Sequence, residues 1–385
     1  MSRSEPLHVV LCTDGVFPHA MGGMQRHSRL LAEHLARSGR IRLTVIHPHQ
    51  QVVFDPALGI REVRIADIDT QRFYLRELWR YSSRVADALR LLRPDVILSQ
   101  GFCVWKDIGE FSDRLMVHPH GLEMFQMLGR KEKLMGAPFR AALRHIVRRS
   151  RTVVSLGGRL TDILRAVVKG TKVQVVVLPN AVDPVRTPVA DRIDHRPLEL
   201  LFVGRFAFNK GIDVLLAVAE RLVKEGRTDE LRFKLVGDGP LLAHYQQLGL
   251  PANVQLMGRV DDDGLDVLYR QCDAFVLPTR FEGMPTVVLE AMARSCPIIV
   301  SDVGATAELV DATNGYLIPP GDADELHRAL LSLEYLTPQE RAILGENGRL
   351  KVMERFTWDA VTERFLTLFE EVGSAGRPQR VKQQW

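Results

Sequence analysis

Short runs of apolar residues alternate along this chain with longer stretches in which apolar residues recur every three or four positions. Such short runs are typical of buried strands, and the longer stretches of amphipathic helices. In the first half the pattern predicts strands over residues 8–12, 43–46, 96–99, 115–117, 152–155 and 173–178, with helices over residues 24–37 and 73–92 among those between them. This alternation favours the α/β class with doubly wound parallel sheets. Ligands bind such sheets at the carboxyl ends of the strands, so residues that directly follow a strand matter most.

A proline-rich segment interrupts the alternation near the middle of the chain. Pro184, Pro188 and Pro197 indicate a linker over residues 184–197, and strand character returns at residue 198. We therefore predict an N-terminal domain over residues 1–183 and a second domain over residues 198–357. The last residues, 374–385, are predicted to be a mobile tail.

The composition is that of a soluble globular protein, with 46% hydrophobic and 25% charged residues among 385. No apolar run is long enough to cross a bilayer, and the first residues lack the apolar core of a signal peptide, so a cytoplasmic location is predicted. The four cysteines are far apart and match neither a disulfide framework nor a zinc spacing. We expect Cys12, Cys103, Cys272 and Cys296 to be small core residues.

The net charge of +4 conceals an asymmetry between the two halves. Residues 1–190 carry 29 Lys and Arg against 17 Asp and Glu, which gives +12, and the remainder carries 22 against 30, which gives −8. The most basic segment, residues 130–151, ends in a predicted helix over residues 138–151. In that helix Arg140, Arg144, Arg148 and Arg149 alternate with an apolar stripe of Leu143, Ile146 and Val147.

Two interpretations of the basic segment stay open. It is either a cationic helix on an anionic membrane surface, with its apolar stripe at the interface, or a solvated helix whose stripe packs on the sheet. Nucleic-acid binding is set aside, because the segment has few interleaved aromatic residues and the chain has no recognised nucleic-acid motif.

The stretch from Pro278 to Met292 is the strongest candidate for chemistry. It follows an apolar run at residues 274–277, turns at Gly283 and Pro285, and continues into a helix predicted over residues 287–293. The first amides of a helix have no internal partner and attract anions, so this turn is suited to a diphosphate. Glu282 and Glu290 lie on either side of the turn and offer carboxylates to hydroxyl groups, as a nucleotide-sugar would need.

A second candidate follows the strand that opens the second domain. Gly204 leaves room for a ligand, and Arg205 and Lys210 place two cations near the strand end. A diphosphate leaving group gains negative charge as its bond to the sugar breaks, so fixed cations stabilise it. Two further glycines, Gly237 and Gly239, follow the next predicted strand.

These motifs resemble those of retaining glycosyltransferases with the GT-B fold, in particular the large family 4. The segment from Glu282 to Glu290 resembles the family's Glu-x7-Glu motif. The same order of motifs includes Gly204-Arg-x4-Lys-Gly211, Gly237-Asp-Gly239, Pro179-Asn-Ala-Val-Asp183 and the His-Gly pair of His118-Pro-His-Gly121. Ser295 stands where the family usually has glycine, a departure that concerns the end of a helix and not the ligand groups.

The resemblance implies two Rossmann-like domains, the first binding the acceptor and the second the donor, and a helix over residues 358–373 that crosses back to the first. It also implies retention of the anomeric configuration, no metal and no other cofactor. For the site, it implies catalytic roles for Glu282, Arg205, Lys210 and His120. It implies donor contacts from Glu290, Gly283, Met284, Pro285, Thr286, Gly204, Gly237 and Gly239, and a loop facing phosphate and acceptor at Gly22 and Gly23.

Two metal-binding alternatives arise from the residues themselves. His118, His120 and Glu123 could ligate zinc or iron, although no fourth ligand is evident. Asp261, Asp262 and Asp263 superficially match a metal motif of another glycosyltransferase fold. They precede a predicted helix, so we interpret them as residues that cap the helix and complement its dipole.

The sequence therefore predicts an enzyme that transfers a hexose from a UDP-, GDP- or ADP-sugar to a hydroxyl acceptor. The resemblance suggests assembly of cell-surface polysaccharide, lipopolysaccharide or glycolipid, with the protein in the cytoplasm or peripheral on the inner face of the plasma membrane. The acceptor is either lipid-linked or a soluble sugar. The alternatives are an epimerase or phosphorylase of the same fold, and a non-catalytic protein that binds nucleotide-sugars.

Overall fold

The computed structural model describes residues 5–69, 73–126, 129–185 and 195–376. The chain folds into two compact units. Unit 1 comprises residues 1–179 together with 358–385, and unit 2 comprises residues 180–357. The predicted linker over residues 184–197 lies largely outside the described residues, and so does nearly all of the predicted tail over 374–385.

Up to residue 179 the elements are β1 (Leu7–Cys12), α1 (Gly23–Arg37), β2 (Ile41–His47), β3 (Arg61–Arg64), α2 (Tyr74–Leu92), β4 (Val96–Gln100), β5 (Leu115–His118), α3 (Glu123–Gln126), α4 (Arg130–Met135), α5 (Ala137–Val147), β6 (Thr152–Ser155), α6 (Gly158–Val168) and β7 (Gln174–Val177). Unit 2 contains β8 (Leu198–Val203), α7 (Ile212–Lys224), β9 (Leu231–Val236), α8 (Leu242–Gln247), β10 (Val254–Gly258), α9 (Asp262–Gln271), β11 (Ala274–Leu277), α10 (Thr286–Ala293), β12 (Ile298–Ser301), α11 (Thr306–Leu309), β13 (Gly315–Ile318), α12 (Ala323–Tyr335) and α13 (Pro338–Arg355). The final helix is α14 (Trp358–Gly376).

Each unit is built on one parallel sheet. In unit 1 the strand order is β3-β2-β1-β4-β5-β6-β7, and in unit 2 it is β10-β9-β8-β11-β12-β13. The strand pairs within these sheets are all parallel. The predicted doubly wound architecture is thus confirmed. The chain order reverses between β1 and β4 and between β8 and β11, which are the points where such sheets bind ligands.

The strands bury nearly continuous apolar runs, as parallel sheets covered on both faces require. In β11 and β12 every residue is buried. All four cysteines are buried too, so the prediction that they are core residues is confirmed.

The edge strand β3 was not predicted. Its sequence, Arg61-Glu-Val-Arg64, contains a single apolar residue, and pairing with β2 at the edge of the sheet holds it in place. The Glu62 carboxylate further fixes this edge, because it accepts hydrogen bonds from the amides of Val53 and Phe54 and from the His47 ring.

Helix α14 packs against the first part of the chain. The Trp358 indole is buried and lies against the rings of His27 and His34 on α1, at centroid distances of 5.4 and 5.3 Å. Arg40 forms ion pairs with Glu363 and Glu370 on the outer face of the helix. These contacts explain why residues from 358 onward belong to unit 1.

Helix starts and ends follow the expected side-chain chemistry. Asp261 caps α9 by accepting a hydrogen bond from the Gly264 amide at 2.9 Å, and Asp262 and Asp263 lie in the first turn. The interpretation of this acidic run as a helix start is therefore confirmed. At the end of α10, Ser295 adopts a left-handed φ of 55°, which accounts for the glycine usual in the related family.

Candidate functional site

The predicted donor residues of unit 2 gather at the carboxyl ends of three neighbouring strands. Gly204 and Arg205 directly follow β8, Gly237 directly follows β9, and the loop over residues 278–285 follows β11. Strands β8 and β11 flank the point where the strand order reverses. The sheet thus assembles at one edge the segments that the sequence singled out.

The loop after β11 is tied to the turn that carries Lys210. The Thr279 hydroxyl and the Arg280 amide both donate to the Asn209 carbonyl, at 2.8 and 2.7 Å. The Arg280 guanidinium donates to both oxygens of Asp213, at 2.8 and 2.6 Å, and lies 4.1 Å from the Phe208 ring centroid. Sequence reasoning missed this clamp, because its halves lie about seventy residues apart.

Lys210 and Glu282 meet directly, with the lysine ammonium against one carboxylate oxygen. That oxygen also accepts a hydrogen bond from the Thr279 hydroxyl at 3.2 Å. The two side chains are only 19% and 12% exposed, so the pair is shielded from much of the solvent. The structure therefore brings together two of the four predicted catalytic residues.

Arg205 differs from Lys210 in its surroundings. It is exposed, and within the described residues its guanidinium has neither a hydrogen bond nor an ion pair, although its carbonyl accepts from the Ala207 amide at 2.8 Å. A Cβ added to Gly204 would lie 3.9 Å from Lys210 Cδ. The backbone that leads into Arg205 is therefore close to the Lys210 side chain. Its charge is available to an anion at the strand end.

Glu290 is held by a residue that sequence reasoning missed. The buried Tyr269 hydroxyl donates to Glu290 Oε2 at 3.1 Å. Burial, and next the Glu290 charge, raise the pKa of Tyr269 well above its usual value, so the phenol keeps its proton. The Arg294 guanidinium donates to the Glu290 carbonyl at 3.0 Å.

The helix that carries Glu290 begins within the candidate site. Pro285 is the N-cap residue of α10 and Thr286 the first helical residue, and no described side chain caps this end. The preceding residues are fixed from outside the helix, since the Met284 carbonyl accepts from the Asn180 side chain at 2.7 Å and the Gly283 carbonyl from the Ala305 amide at 2.9 Å. The loop before this helix end is thus anchored, and the first amides of a helix attract anions.

Close backbone packing requires glycine at several of these positions. A Cβ on Gly237 would lie 1.9 Å from the Gly204 carbonyl oxygen, and one on Gly239 would lie 2.6 Å from the Phe206 carbonyl oxygen. Gly304, which sequence reasoning missed, has the same function for the central loop. Its Cβ would lie 2.3 Å from the Glu282 carbonyl oxygen, and its position after strand β12 is the signal that could have found it.

The predicted residues of unit 1 form a separate group. Gly22 is the N-cap residue of α1 with a φ of 156°, Gly23 is its first residue, and both are exposed. His120 has a left-handed φ of 58°, and its Nε2 is hydrogen-bonded to the Gln100 side chain. Gln100 is the last residue of β4 and His118 the last of β5, so these groups also lie at strand ends.

The His120 ring belongs to a cluster of three imidazoles. His27, His118 and His120 offer nitrogens that lie within 4.8 Å of one another, so His27 takes the place predicted for Glu123 in a metal-binding set. Burial, and then the neighbouring imidazoles, hold the pKa values of His118 and His120 well below the usual range. His118 and His120 are therefore neutral near pH 7.

The ring geometry is unfavourable for a tetrahedral ion. Imidazole ligands at the usual zinc distance have ring centres about 5 Å apart, and the His27 ring lies 5.2 and 5.0 Å from those of His118 and His120. The His118 and His120 rings, however, are stacked at 3.9 Å. One of them would have to turn before both could bind the same ion.

The structure of the basic segment decides between the two interpretations of its apolar stripe. The stripe of Leu143, Ile146 and Val147 is buried in unit 1, with 2% exposure at most. Of the two interpretations left open, the structure therefore agrees with the one in which this stripe packs within the unit, because the apolar face of α5 is buried there. The exposed large apolar side chains of the segment are instead those of Leu134 and Met135 on α4.

The arginines of α5 make contacts within unit 1. Arg140 donates to the carbonyls of Met124 and Lys133, and Arg148 to those of Val167 and Lys169. The Arg144 guanidinium lies 5.6 Å from the Phe125 ring centroid, and Arg149 contacts His145. Among the described helices, none is both long enough and apolar enough to cross a bilayer.

Family comparisons match both halves of the chain. A model described as Glycosyltransferase Family 4 matches residues 21–186, and a model described as Glycosyl transferases group 1 matches residues 197–334. An uncharacterized glycosyltransferase of Methanocaldococcus jannaschii is 32% identical over 177 residues, 45% of this chain and 48% of the relative. The chain thus aligns with about half the length of the first such relatives.

Other similarities extend over nearly the whole chain. Glycogen synthase of Mycobacterium tuberculosis is 24% identical over 379 residues, 89% of this chain and 90% of the relative. The solved structure of sucrose-phosphate synthase from Thermosynechococcus elongatus has a TM-score of 0.78 at 21% identity, covering 96% of this chain and 100% of that one. At that identity the structural likeness concerns the fold.

Proposed function

Because the chain belongs to the group 1, family 4 glycosyltransferases, we propose that it transfers a hexose from a nucleotide diphosphate-sugar to an acceptor hydroxyl with retention of the anomeric configuration. The observation that carries the proposal is the contact of Lys210 with Glu282 at the carboxyl ends of β8 and β11, next to the exposed Arg205. This arrangement supplies cations for a diphosphate and a carboxylate for the sugar in one place.

In the proposed complex the donor diphosphate lies at the N-terminus of α10, over residues 283–286. Arg205 and the Lys210 ammonium neutralise the charge that grows on the leaving diphosphate. Lys210 then shares its charge between phosphate and Glu282, and the Glu282 carboxylate accepts a sugar hydroxyl. Glu290 accepts the ribose hydroxyls. Fixed positions of these groups lower the barrier by preorganisation.

The roles proposed for unit 1 concern the acceptor. For Gly22 and Gly23 at the start of α1 the proposed role is backbone contact with the phosphate and acceptor, and for His120 it is contact with the donor sugar. The leaving phosphate removes the proton of the attacking hydroxyl on the same face of the sugar, so that the configuration is retained. No metal takes part in this proposal, because the two cations carry the charge stabilisation.

We extend the proposal to an anionic membrane surface that presents a lipid-linked acceptor for cell-surface polysaccharide, lipopolysaccharide or glycolipid. Eight basic residues face one acid between residues 130 and 151. Leu134 and Met135 on α4 are 76% and 70% exposed beside Lys131 and Lys133. Clustered cations with exposed apolar side chains are the composition that anionic lipid attracts.

A panel of UDP-, GDP- and ADP-sugars tests the core proposal. The matching donor should raise the melting temperature, since a ligand at 100 times its Kd stabilises the folded protein by about 2.7 kcal/mol. NMR of the product formed with that donor should report the donor's own anomeric configuration, with full activity in EDTA. Release of nucleotide without a glycosylated product would favour an epimerase or phosphorylase, and binding without turnover a non-catalytic protein.

A further inference from the structure

Tyr269 near the end of α9 lies behind the candidate ribose-binding carboxylate. Only 1% of this tyrosine is exposed, and its hydroxyl donates to Glu290 Oε2 at 3.1 Å. The Val287 carbonyl lies 3.4 Å from the same hydroxyl. The phenol therefore has its acceptors on α10 and points at the helix that bears Glu290.

The tyrosine is fixed at both of its ends. Its carbonyl accepts from the thiols of Cys296 and Cys272, at 2.9 and 3.4 Å. The Arg294 guanidinium lies 5.3 Å from its ring centroid and is held in turn by Asp266 at 2.7 Å. A side chain held in this way is a rigid donor, so it restricts the carboxylate that it contacts.

The restriction matters for Glu290 because the orientation of its carboxylate decides which hydroxyl groups it can accept from. An ionised carboxylate has two oxygens with about four acceptor sites, and the torsion that orients the group is soft. Tyr269 occupies one site on Oε2. Its hydrogen bond restricts the orientation of the carboxylate and leaves about three acceptor sites for hydroxyls of the ligand.

We propose that Tyr269 is a positioning residue that makes the donor site select ribose over 2′-deoxyribose by fixing the plane of the Glu290 carboxylate. This inference rests on the proposed function, because it takes a nucleoside diphosphate as the ligand. A ribose presents two vicinal hydroxyls, and a fixed carboxylate can accept from both at once. A carboxylate free to rotate meets the two hydroxyls in that geometry only part of the time.

The test compares ribonucleotide with deoxyribonucleotide binding by calorimetry. The ligands are UDP, GDP and ADP, each with its 2′-deoxy counterpart, and the proteins are the wild type, Tyr269→Phe and Tyr316→Phe. The wild type should bind one ribonucleotide about tenfold or more tightly than its deoxy form, as expected for a hydrogen bond to a charged group. Tyr269→Phe should reduce that ratio to about threefold or less, mainly by weakening the ribonucleotide.

The control separates the role of the phenol from a general effect of removing a tyrosine hydroxyl. Tyr316→Phe makes the same chemical change on β13, two strands from β11 in the sheet, and should keep the wild-type ratio. A Tyr269→Phe protein that is folded and keeps the wild-type ratio would refute the positioning role. Should that variant not fold, Tyr269→Met replaces it, and if neither folds the phenol serves folding and the inference is withdrawn.

The outcome also separates this inference from the proposed function. If the wild type binds none of the six nucleotides at millimolar concentration, the donor site itself is refuted. If the wild type binds and selects ribose while Tyr269→Phe does so equally, only the role of Tyr269 is refuted. In steady-state assays with a matching nucleotide-sugar, Tyr269→Phe should raise KM severalfold with kcat nearly unchanged, since ribose binding precedes the chemical step.

Discussion

Lys210 and Glu282, 72 positions apart in the chain, form a direct ion pair. Each of the two charged groups therefore has a partner within the protein itself. A donor must share the lysine with Glu282. This relationship predicts opposite effects of one substitution on binding and on turnover.

Glu282→Gln should tighten the binding of a free nucleoside diphosphate severalfold, because it removes a competing negative charge next to Lys210. The same variant should lower kcat by on the order of 100-fold, since the sugar loses its carboxylate contact in the transition state. Calorimetry and steady-state kinetics measure the two effects. Asp311→Asn, which breaks the Lys351–Asp311 ion pair in the same unit, is the control and should change neither. Weaker diphosphate binding by Glu282→Gln would contradict this account.

Arg205→Ala should raise KM for the donor by about 10- to 100-fold, because it removes an exposed cation proposed to bind phosphate. Its free energy of unfolding should stay within about 0.5 kcal/mol of the wild type, since the side chain has no hydrogen-bond or ion-pair partner within the described residues. Kinetics and urea unfolding give both values. Arg232→Ala, at a half-exposed arginine paired with Glu199, is the matched control and should leave KM unchanged. An unaltered KM in Arg205→Ala would remove this residue from the site.

Gly304→Ala should destabilise unit 2 by about 3 kcal/mol or more and abolish donor binding. Its methyl group would lie 2.3 Å from the Glu282 carbonyl oxygen and 2.5 Å from that of Gly283, so the central loop must move. Gly321→Ala has a similar φ of 78° with no atom within 4 Å, and should cost only about 1–2 kcal/mol. Urea unfolding of both variants measures the difference in their free energies of unfolding. Equal losses of stability would show that backbone strain alone, and not the close contact with the central loop, causes the effect at Gly304.

The free energy of unfolding of unit 1 should fall as the pH drops below about 6.5. The pKa values of His118 and His120 are held below their unfolded value of 6.5, mainly by burial, so in that range the unfolded chain binds protons that the folded chain does not. Stability is therefore complete above pH 6.5 and is lost on acidification, by about 1.4 kcal/mol per pH unit for each such histidine.

Tryptophan fluorescence during urea unfolding can follow this change, since Trp79, Trp105 and Trp358 belong to unit 1 and the sequence of unit 2, residues 180–357, contains no tryptophan. His118→Gln should flatten the slope between pH 6.5 and 5.5 by about one proton. The exposed His244→Gln in unit 2 is the control and should keep the wild-type slope. A His118→Gln slope equal to that of the wild type would mean that this imidazole is not the source.

Replacing Arg144, Arg148 and Arg149 with Gln should weaken flotation with anionic vesicles and leave donor hydrolysis intact, because charge attraction falls by about 1 kcal/mol per cation. The control replaces three exposed cations of unit 2, Lys224, Arg232 and Arg328, with the same change in net charge. Leu134→Ser with Met135→Ser should weaken flotation as well. Unchanged flotation of all the unit 1 variants would exclude the membrane proposal.

The sequence was most informative where a local pattern decides the structure. Apolar runs predicted most of the strands, and Asp261 predicted the start of α9, because burial and capping act over a few neighbouring residues. The strand β3 was not predicted from the sequence, because two arginines and a glutamate do not favour a strand and pairing with β2 is what stabilises it. The stripe on α5 could not be assigned to lipid or core from periodicity, since both environments select the same side chains.

The sequence could single out individual candidate residues, but it could not predict which of them contact each other. Glu282 and Glu290 stand eight positions apart in one motif, so their association is local. The Lys210–Glu282 pair, the Arg280–Asp213 clamp and the Tyr269–Glu290 hydrogen bond join segments between 21 and 72 positions apart. Only the order of strands in the sheet brings those segments together.

The return of α14 to unit 1 makes the second unit an insertion within the first. During synthesis on the ribosome, residues 180–357 are complete as a folding unit before α14 has been made, and unit 1 lacks this helix until then. The indole of Trp358, which covers His27 and His34, therefore reaches its place only after the whole of unit 2 has been synthesised. A chain that stops before residue 358 leaves the histidines on α1 without this cover.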